Sequence, residues 1–170
     1  MENDRPEFIK HYTDIQEPDT SCYRTSNSTE LLSIGSPFGK VFKLTRLGIH
    51  HEVLPPGRRT SWPHAESTEE EFVYVIEGTP DAWINGNIYR LKPGDGVGFP
   101  AGTGIAHTFI NNTTEEVRLL VVGDTNRKDN RCAYPLHPER SAVIGEFYWK
   151  DAPAQELGLH DGIPDKLRGR

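Results

Sequence analysis

His64, Glu66, Glu71 and His107 are the residues of this 170-residue chain whose types and spacing can do chemistry. Imidazole nitrogens and carboxylate oxygens are donors that hold divalent transition ions. Residues two apart on a strand point to one face, so His64 and Glu66 can grip one ion as a pincer. Glu71 opens the apolar run Phe72 to Ile76, and His107 opens another, Thr108 to Ile110. A carboxylate that enters a protein interior beside such a run needs a cation or hydrogen bonds, because an unpaired buried charge is costly. Two arrangements are open. If all four residues bind, two imidazoles and two carboxylates balance a divalent ion, and hard oxygen donors favour Mn, Fe or Zn over Cu(I). If Glu66 stays free, His64, Glu71 and His107 make a two-histidine, one-carboxylate set with open positions, and Glu66 becomes a general base beside a polarised substrate.

The elements that must position these residues read as strands. Leu47, Ile49, His51 and Val53 alternate with Gly48, His50, Glu52 and Leu54 up to the stop at Pro55-Pro56-Gly57. Phe72 to Ile76 is rich in β-branched and aromatic residues, and Ala82-Trp83-Ile84 follows after Gly78. Asn85-Gly86 predicts a tight type I′ hairpin turn, with Tyr89 and Leu91 on the returning strand. Lys92-Pro93-Gly94-Asp95 is another turn, and strands are expected at Val97 to Phe99, Ile105 to Ile110 and Val117 to Val122. Many short strands between Gly and Pro turns, without a helix-period segment between them, predict an all-β sandwich or barrel. Three segments follow: a polar N-terminal arm over 1–40, a barrel core over 41–124, and an irregular C-terminal tail over 125–170. The tail carries Tyr134, Phe147, Tyr148 and Trp149 and is expected to pack on the barrel or on a second subunit.

Bulk properties exclude several classes. The length suits one domain. With 35% hydrophobic and 26% charged residues and no long apolar stretch, no membrane span is expected. A polar, acidic start from Met1 to Lys10 predicts no export and a cytoplasmic protein. A net charge of −6, with basic clusters only at Arg58-Arg59 and Lys166 to Arg170, makes nucleic acid an improbable partner. Cys22 and Cys132 have no second cysteine at metal spacing and read as reduced thiols.

The segment from Gly57 to Asn111 resembles the cupin superfamily of small β-barrels. The family's first motif, Gly, about five residues, His-x-His, three or four residues, Glu, six residues, Gly, matches Gly57, His64-Ala65-Glu66, Glu71 and Gly78. Its second, Gly, five residues, Pro-x-Gly, two residues, His, three residues, Asn, matches Gly94, Pro100-Ala101-Gly102, His107 and Asn111. Two loops are longer than the pattern, before His64 and before His107, and sheets tolerate such insertions. The chemical departure is Glu66, which stands where the family has a second histidine. The resemblance implies a cupin-type double-stranded β-helix, a jelly-roll barrel, with His64, Glu71 and His107 as metal ligands.

Further residues are candidates. Trp62, Tyr74 and Phe109 can line a substrate pocket, although aromatic strand residues are more often plain core. By strand parity His51 can look into the barrel as a satisfied core histidine. Glu69 and Glu70 read as a solvated loop. The leading expectation is an enzyme whose metal (Mn, Fe or Zn) acts as Lewis acid on a small carbohydrate-like or hydroxy-acid metabolite, with Glu66 or Glu71 moving a proton. Isomerase, epimerase or lyase chemistry fits, and related cupins imply a sugar-phosphate isomerase, for which Arg58, Arg59 and Arg90 are the possible phosphate contacts. An Fe(II) dioxygenase and a non-catalytic binding cupin are the alternatives. The arm and aromatic tail, with what the resemblance implies, predict a homodimer.

Overall fold

The computed structural model describes residues 5–23, 29–125 and 127–168, so parts of the arm and the end of the basic C-terminal cluster lie outside the described residues. Ten strands form among the described residues: β1 (Ile34–Ser36), β2 (Leu47–Leu54), β3 (Ala65–Glu66), β4 (Glu71–Glu77), β5 (Asp81–Ile84), β6 (Asn87–Arg90), β7 (Gly96–Phe99), β8 (His107–Ile110), β9 (Val117–Asp124) and β10 (Cys132–Ala133). One sheet is five-stranded, in the order β1-β2-β9-β4-β7, and the opposing one carries β6-β5-β8. The second sheet extends beyond its regular strands. Gly57 N–H donates to the Asn111 carbonyl at 2.7 Å and Thr60 N–H to that of Phe109 at 2.9 Å, and His64 and His107 exchange backbone bonds at 3.2 and 2.9 Å. The chain leading to β3 therefore runs antiparallel beside β8, and β3 goes on to pair with β10. Two antiparallel sheets enclosing one core make a jelly roll.

Strand period decides what fills it. Leu54 from β2, Val73 and Val75 from β4, Phe99 from β7 and Val117 and Leu119 from β9 meet Ala82 and Phe109 from the second sheet in one buried cluster. The hairpin between β5 and β6 has the positive φ angles that Asn-Gly accepts, 46° at Asn85 and 81° at Gly86. Gly86 is needed twice, since a Cβ there would meet the Gly158 nitrogen at 2.5 Å where the tail crosses the hairpin.

The described tail packs on its own barrel. Trp83 points out of the second sheet into a cluster with Ala65, Ala106 and Ile110 that Leu136 and Trp149 cover, and its indole N–H donates to the His160 carbonyl at 2.8 Å. The tail also holds a helix that the sequence reading did not foresee, α2 (Pro138–Ile144), which follows the short α1 (Phe38–Val41). None of its seven residues is buried, so it carries no apolar stripe to read. The arm joins the barrel more closely than expected, because β1 pairs with β2 within the span taken as arm. No helix of the described residues is long and apolar enough to cross a membrane.

Candidate metal centre

β4 and β8 begin at the same end of the barrel, and each begins with a functional residue, Glu71 and His107. His64, just before β3, is carried to His107 by the reciprocal backbone pair. One donor atom from each of His64, Glu71 and His107 lies within 4.8 Å of the other two. Glu71 Oε1 stands 3.1 Å from His107 Nε2. The His64 ring is oriented from behind, with Nδ1 2.9 Å from the Trp62 carbonyl and 3.3 Å from Ser61 Oγ. A proton on that Nδ1 leaves the Nε2 lone pair turned towards the other donors, the tautomer a metal requires. The His107 ring lies flat on Phe99, with centroids 3.5 Å apart.

Electrostatics suit the same task. Burial, with His107 nearby, pushes the His64 pKa down to about 4, so the ring is neutral at pH 7. Burial works to raise Glu71, but the hydrogen bond and charge of His107, with His64 and His50, outweigh it and hold its carboxyl below the ordinary value. A neutral imidazole beside an ionised carboxylate is the donor state that binds a divalent ion, so these residues fit one.

Glu66 stands outside this group. Its Oε1 is 3.9 Å from His64 Nε2. Asn130 Nδ2 donates to Oε2 at 3.1 Å, and the Cys132 thiol lies 3.5 Å from Oε1. Burial raises the Glu66 pKa, against the hydrogen bonds from Glu69, Cys132 and Asn130. Glu69 is itself pushed up to about 7 by burial and by Glu66. It belongs to the site and not to a solvated loop, because it is drawn inward by that bond and by the Arg127 N–H at 2.7 Å. Glu70 is exposed, as expected.

A cavity of about 240 Å³ opens beside these residues, lined by His50, Glu52, Glu66, Glu69 and Glu71 among others. His50 and Glu52 replace His51, which faces the other way and stacks on Tyr12 of the arm at 4.1 Å. The arm packs on the His51 face through Tyr12, so strand parity alone pointed to the wrong side of β2. Room for Glu52 comes from Gly35 opposite it on β1, where a Cβ would meet Glu52 Oε1 at 3.2 Å.

The aromatic candidates lie elsewhere. Trp62 is buried between Tyr23 and His137, at 4.4 and 4.1 Å between centroids, with its indole N–H bonded to Glu30 at 3.1 Å. It serves the site through its carbonyl. Phe109 is core, edge-on to Phe99. Tyr74 is on the outer face of its sheet and 40% exposed, because it alternates with the inward Val73 and Val75. The three arginines are engaged away from the cavity: Arg58 with Asp19, Arg59 with Glu30 and the Gly162 carbonyl, and Arg90 with Asp81. Asn111, fully buried, ties the end of β8 to the carbonyls of Leu54 and Glu115 at 2.8 Å each.

Glu52 carries a testable cost. Burial, with Glu71 and Glu17 nearby, pushes its pKa up to about 7 from an ordinary 4.5, against a hydrogen bond from Ser33. A raised folded pKa favours folding most below the unfolded value, and that advantage is lost as pH rises through about 7. In the metal-free protein, Glu52→Gln is expected to add up to about 3 kcal/mol of stability at pH 8 and little at pH 5. Urea unfolding at the two pH values checks this, and an equal change at both would contradict it.

Comparison with known proteins agrees with the fold. The Cupin domain family model matches residues 50–123. Over 68 residues the chain is 34% identical to the polyketide synthase CurC of Streptomyces cyaneus, a match covering 40% of this chain and 42% of that protein. The chain thus spans less than half the length of that curated relative. A solved structure from Acidithiobacillus ferrooxidans, provisionally described as a sugar phosphate isomerase, is similar with a TM-score of 0.65 and 27% identity over 76% of this chain and 81% of that one. The sugar phosphate isomerase of the cupin superfamily from Silicibacter pomeroyi gives a TM-score of 0.57 and 30% identity over 60% of this chain and 64% of that one. With paired motifs, a jelly roll and these likenesses in agreement, residues 50–123 are a small cupin domain.

Proposed function

We propose that this protein is a metal-dependent enzyme of the isomerase or lyase type that moves a proton on a small polar carbonyl compound. One observation carries the reading: three donors converge within 4.8 Å, while Glu66 stands just outside them with a hydrogen-bonded partner of its own. A divalent ion held by His64, Glu71 and His107 would supply Lewis acidity towards a carbonyl or hydroxyl oxygen. The proton is the task of the chain's own residues. Glu71 is committed to charge neutralisation, which leaves Glu66 to accept a proton at a carboxylate oxygen. Asn130 and Cys132 fix that carboxylate in place, and Glu69 shares its charge. Phe99 and the backbone of Trp62 hold the imidazoles still. The sugar phosphate isomerases and the polyketide synthase among the similar proteins lend support, since both descriptions are compatible with chemistry at activated carbonyl groups.

A homodimer remains part of this reading, supported by the exposed apolar row Phe72, Tyr74 and Ile76 on the outer sheet face. Elution as a monomer on gel filtration would count against it. For the chemistry, protein loaded anaerobically with Mn(II), Fe(II) or Zn(II) is expected to exchange the carbon-bound hydrogens of hydroxyacetone in D2O, followed by proton NMR. Fe(II)-dependent oxygen uptake without such exchange would favour an oxygenase instead.

A further inference from the structure

We infer that the N-terminal arm is a pH-sensitive latch: a neutral His51 holds Tyr12 on the outer face of β2, and protonation of that ring releases the arm up to Ile15. The Tyr12 ring lies on the His51 imidazole with centroids 4.1 Å apart and planes 22° from parallel. Strand pairing sets Ser36 of β1 directly opposite His51, so the two side chains share one face. His51 is 7% exposed and Ser36 fully buried, and among the described residues neither Ser36 Oγ nor His51 Nδ1 has a hydrogen-bond partner. A second proton on this ring would add a charge where water is excluded and no acceptor is bonded to Nδ1. Released into water, the same ring would be solvated on both nitrogens.

Neighbouring charges also disfavour the cation. The register of β2 on β9 pairs Val53 with Arg118 and His51 with Leu120, which sets Arg118 diagonal to His51. Its guanidinium is 5.5 Å from the centre of the Tyr12 ring, and it occupies the two carboxylates nearby, Glu116 at 3.1 Å and Glu77 at 3.3 Å. The arm brings His11, whose backbone N–H donates to Asp14 Oδ2 at 3.2 Å. β1 carries no charged residue, and His50 and Glu52 of β2 point to the opposite face, into the cavity. Burial, with Arg118 and His11 nearby, holds the His51 pKa below its ordinary 6.5, against Glu116 and a bond to its own backbone. The docked arm thus binds this proton more weakly than the released one, so docking is strongest above pH 6.5 and weakens as pH falls below it. Release stops at Ile15, because Glu17 N–H donates to the Gly35 carbonyl at 2.9 Å and Arg58 holds Asp19 at 3.0 Å.

Hydrogen exchange followed by NMR on the whole protein tests this. The Asp14 and Ile15 amides donate to the carbonyls of His11 and Tyr12 at 3.0 and 3.2 Å, so they report the docked segment. Corrected for the intrinsic effect of pH on exchange, their protection is expected to fall by about threefold to tenfold from about pH 7.5 to about pH 5.5, tenfold being the ceiling for one imidazole of ordinary pKa. The amides of the β4–β9 pair should change by less than about half as much. His51→Phe keeps a ring against Tyr12 and has nothing to titrate, so its arm protection should be flat over that range. A fall that persists in His51→Phe would assign the trigger to His11 and overturn the inference. An equal fall in the β4–β9 amides, which is loosening of the whole barrel, or no fall at all, would overturn it too. The His51 ring C–H resonance gives a second reading that needs no variant: its titration midpoint is expected below 6.5, and a midpoint at or above that value would contradict the latch.

Discussion

Replacing Glu71 by Gln is expected to weaken metal binding by about 100-fold or more, close to 3 kcal/mol. Glu71 is the sole carboxylate among the three converging donors, so it supplies the only negative charge within that set. Glutamine keeps the length and shape of the side chain and removes the charge. The fold should survive, since an amide can still bond His107 Nε2 across the 3.1 Å gap. Competition with a chromophoric chelator measures the loss, and thermal unfolding of the metal-free variant confirms that the barrel is intact. Affinity within about threefold of the parent protein would mean that Glu71 is no ligand.

The second large effect separates Glu66 from the metal. Glu66→Gln is expected to slow proton exchange of hydroxyacetone by about 10²- to 10⁴-fold, the usual contribution of a general base. Its metal affinity should stay within about fivefold of the parent value, since a residue beside the ion acts on it only indirectly. Geometry underlies the expected split, because Glu66 is not among the three converging donors and its carboxylate, 3.9 Å from His64 Nε2, is bonded by Asn130 and Cys132. A variant that loses metal and exchange together would place Glu66 among the ligands.

Much of this site was legible in the sequence, for identifiable reasons. Two-residue strand period, the Asn85-Gly86 turn and apolar runs opened by Glu71 and His107 follow from local chemistry, and the strands form where these signals lie. Spacing alone could not say whether Glu66 binds, since that depends on Asn130 and Cys132, more than sixty residues away and brought in by the pairing of β3 with β10. Glu52 escaped notice for a related reason. Its face of β2 is the one that puts Leu54 into the barrel core, while the other face meets the arm, where Tyr12 stacks on His51. Tyr74 was a candidate by type, yet its neighbours Val73 and Val75 claim the interior and leave it outside. The arginines were candidate phosphate contacts by charge, but their partners Asp19, Glu30 and Asp81 come from the arm and from the second sheet. Long-range pairing, invisible to local pattern, turned these side chains from candidates into structural ties.

The coordination shell of the metal-loaded protein tests the central claim most directly. A crystal structure with zinc bound is expected to show His64, Glu71 and His107 each giving one donor at about 2.0 to 2.2 Å, the ordinary lengths for these ligands. Glu66 should remain beyond bonding distance, with its carboxylate still held by Asn130. An ion bound by Glu66 as a fourth protein ligand would contradict the account, because the proposed base would then be part of a closed metal cage.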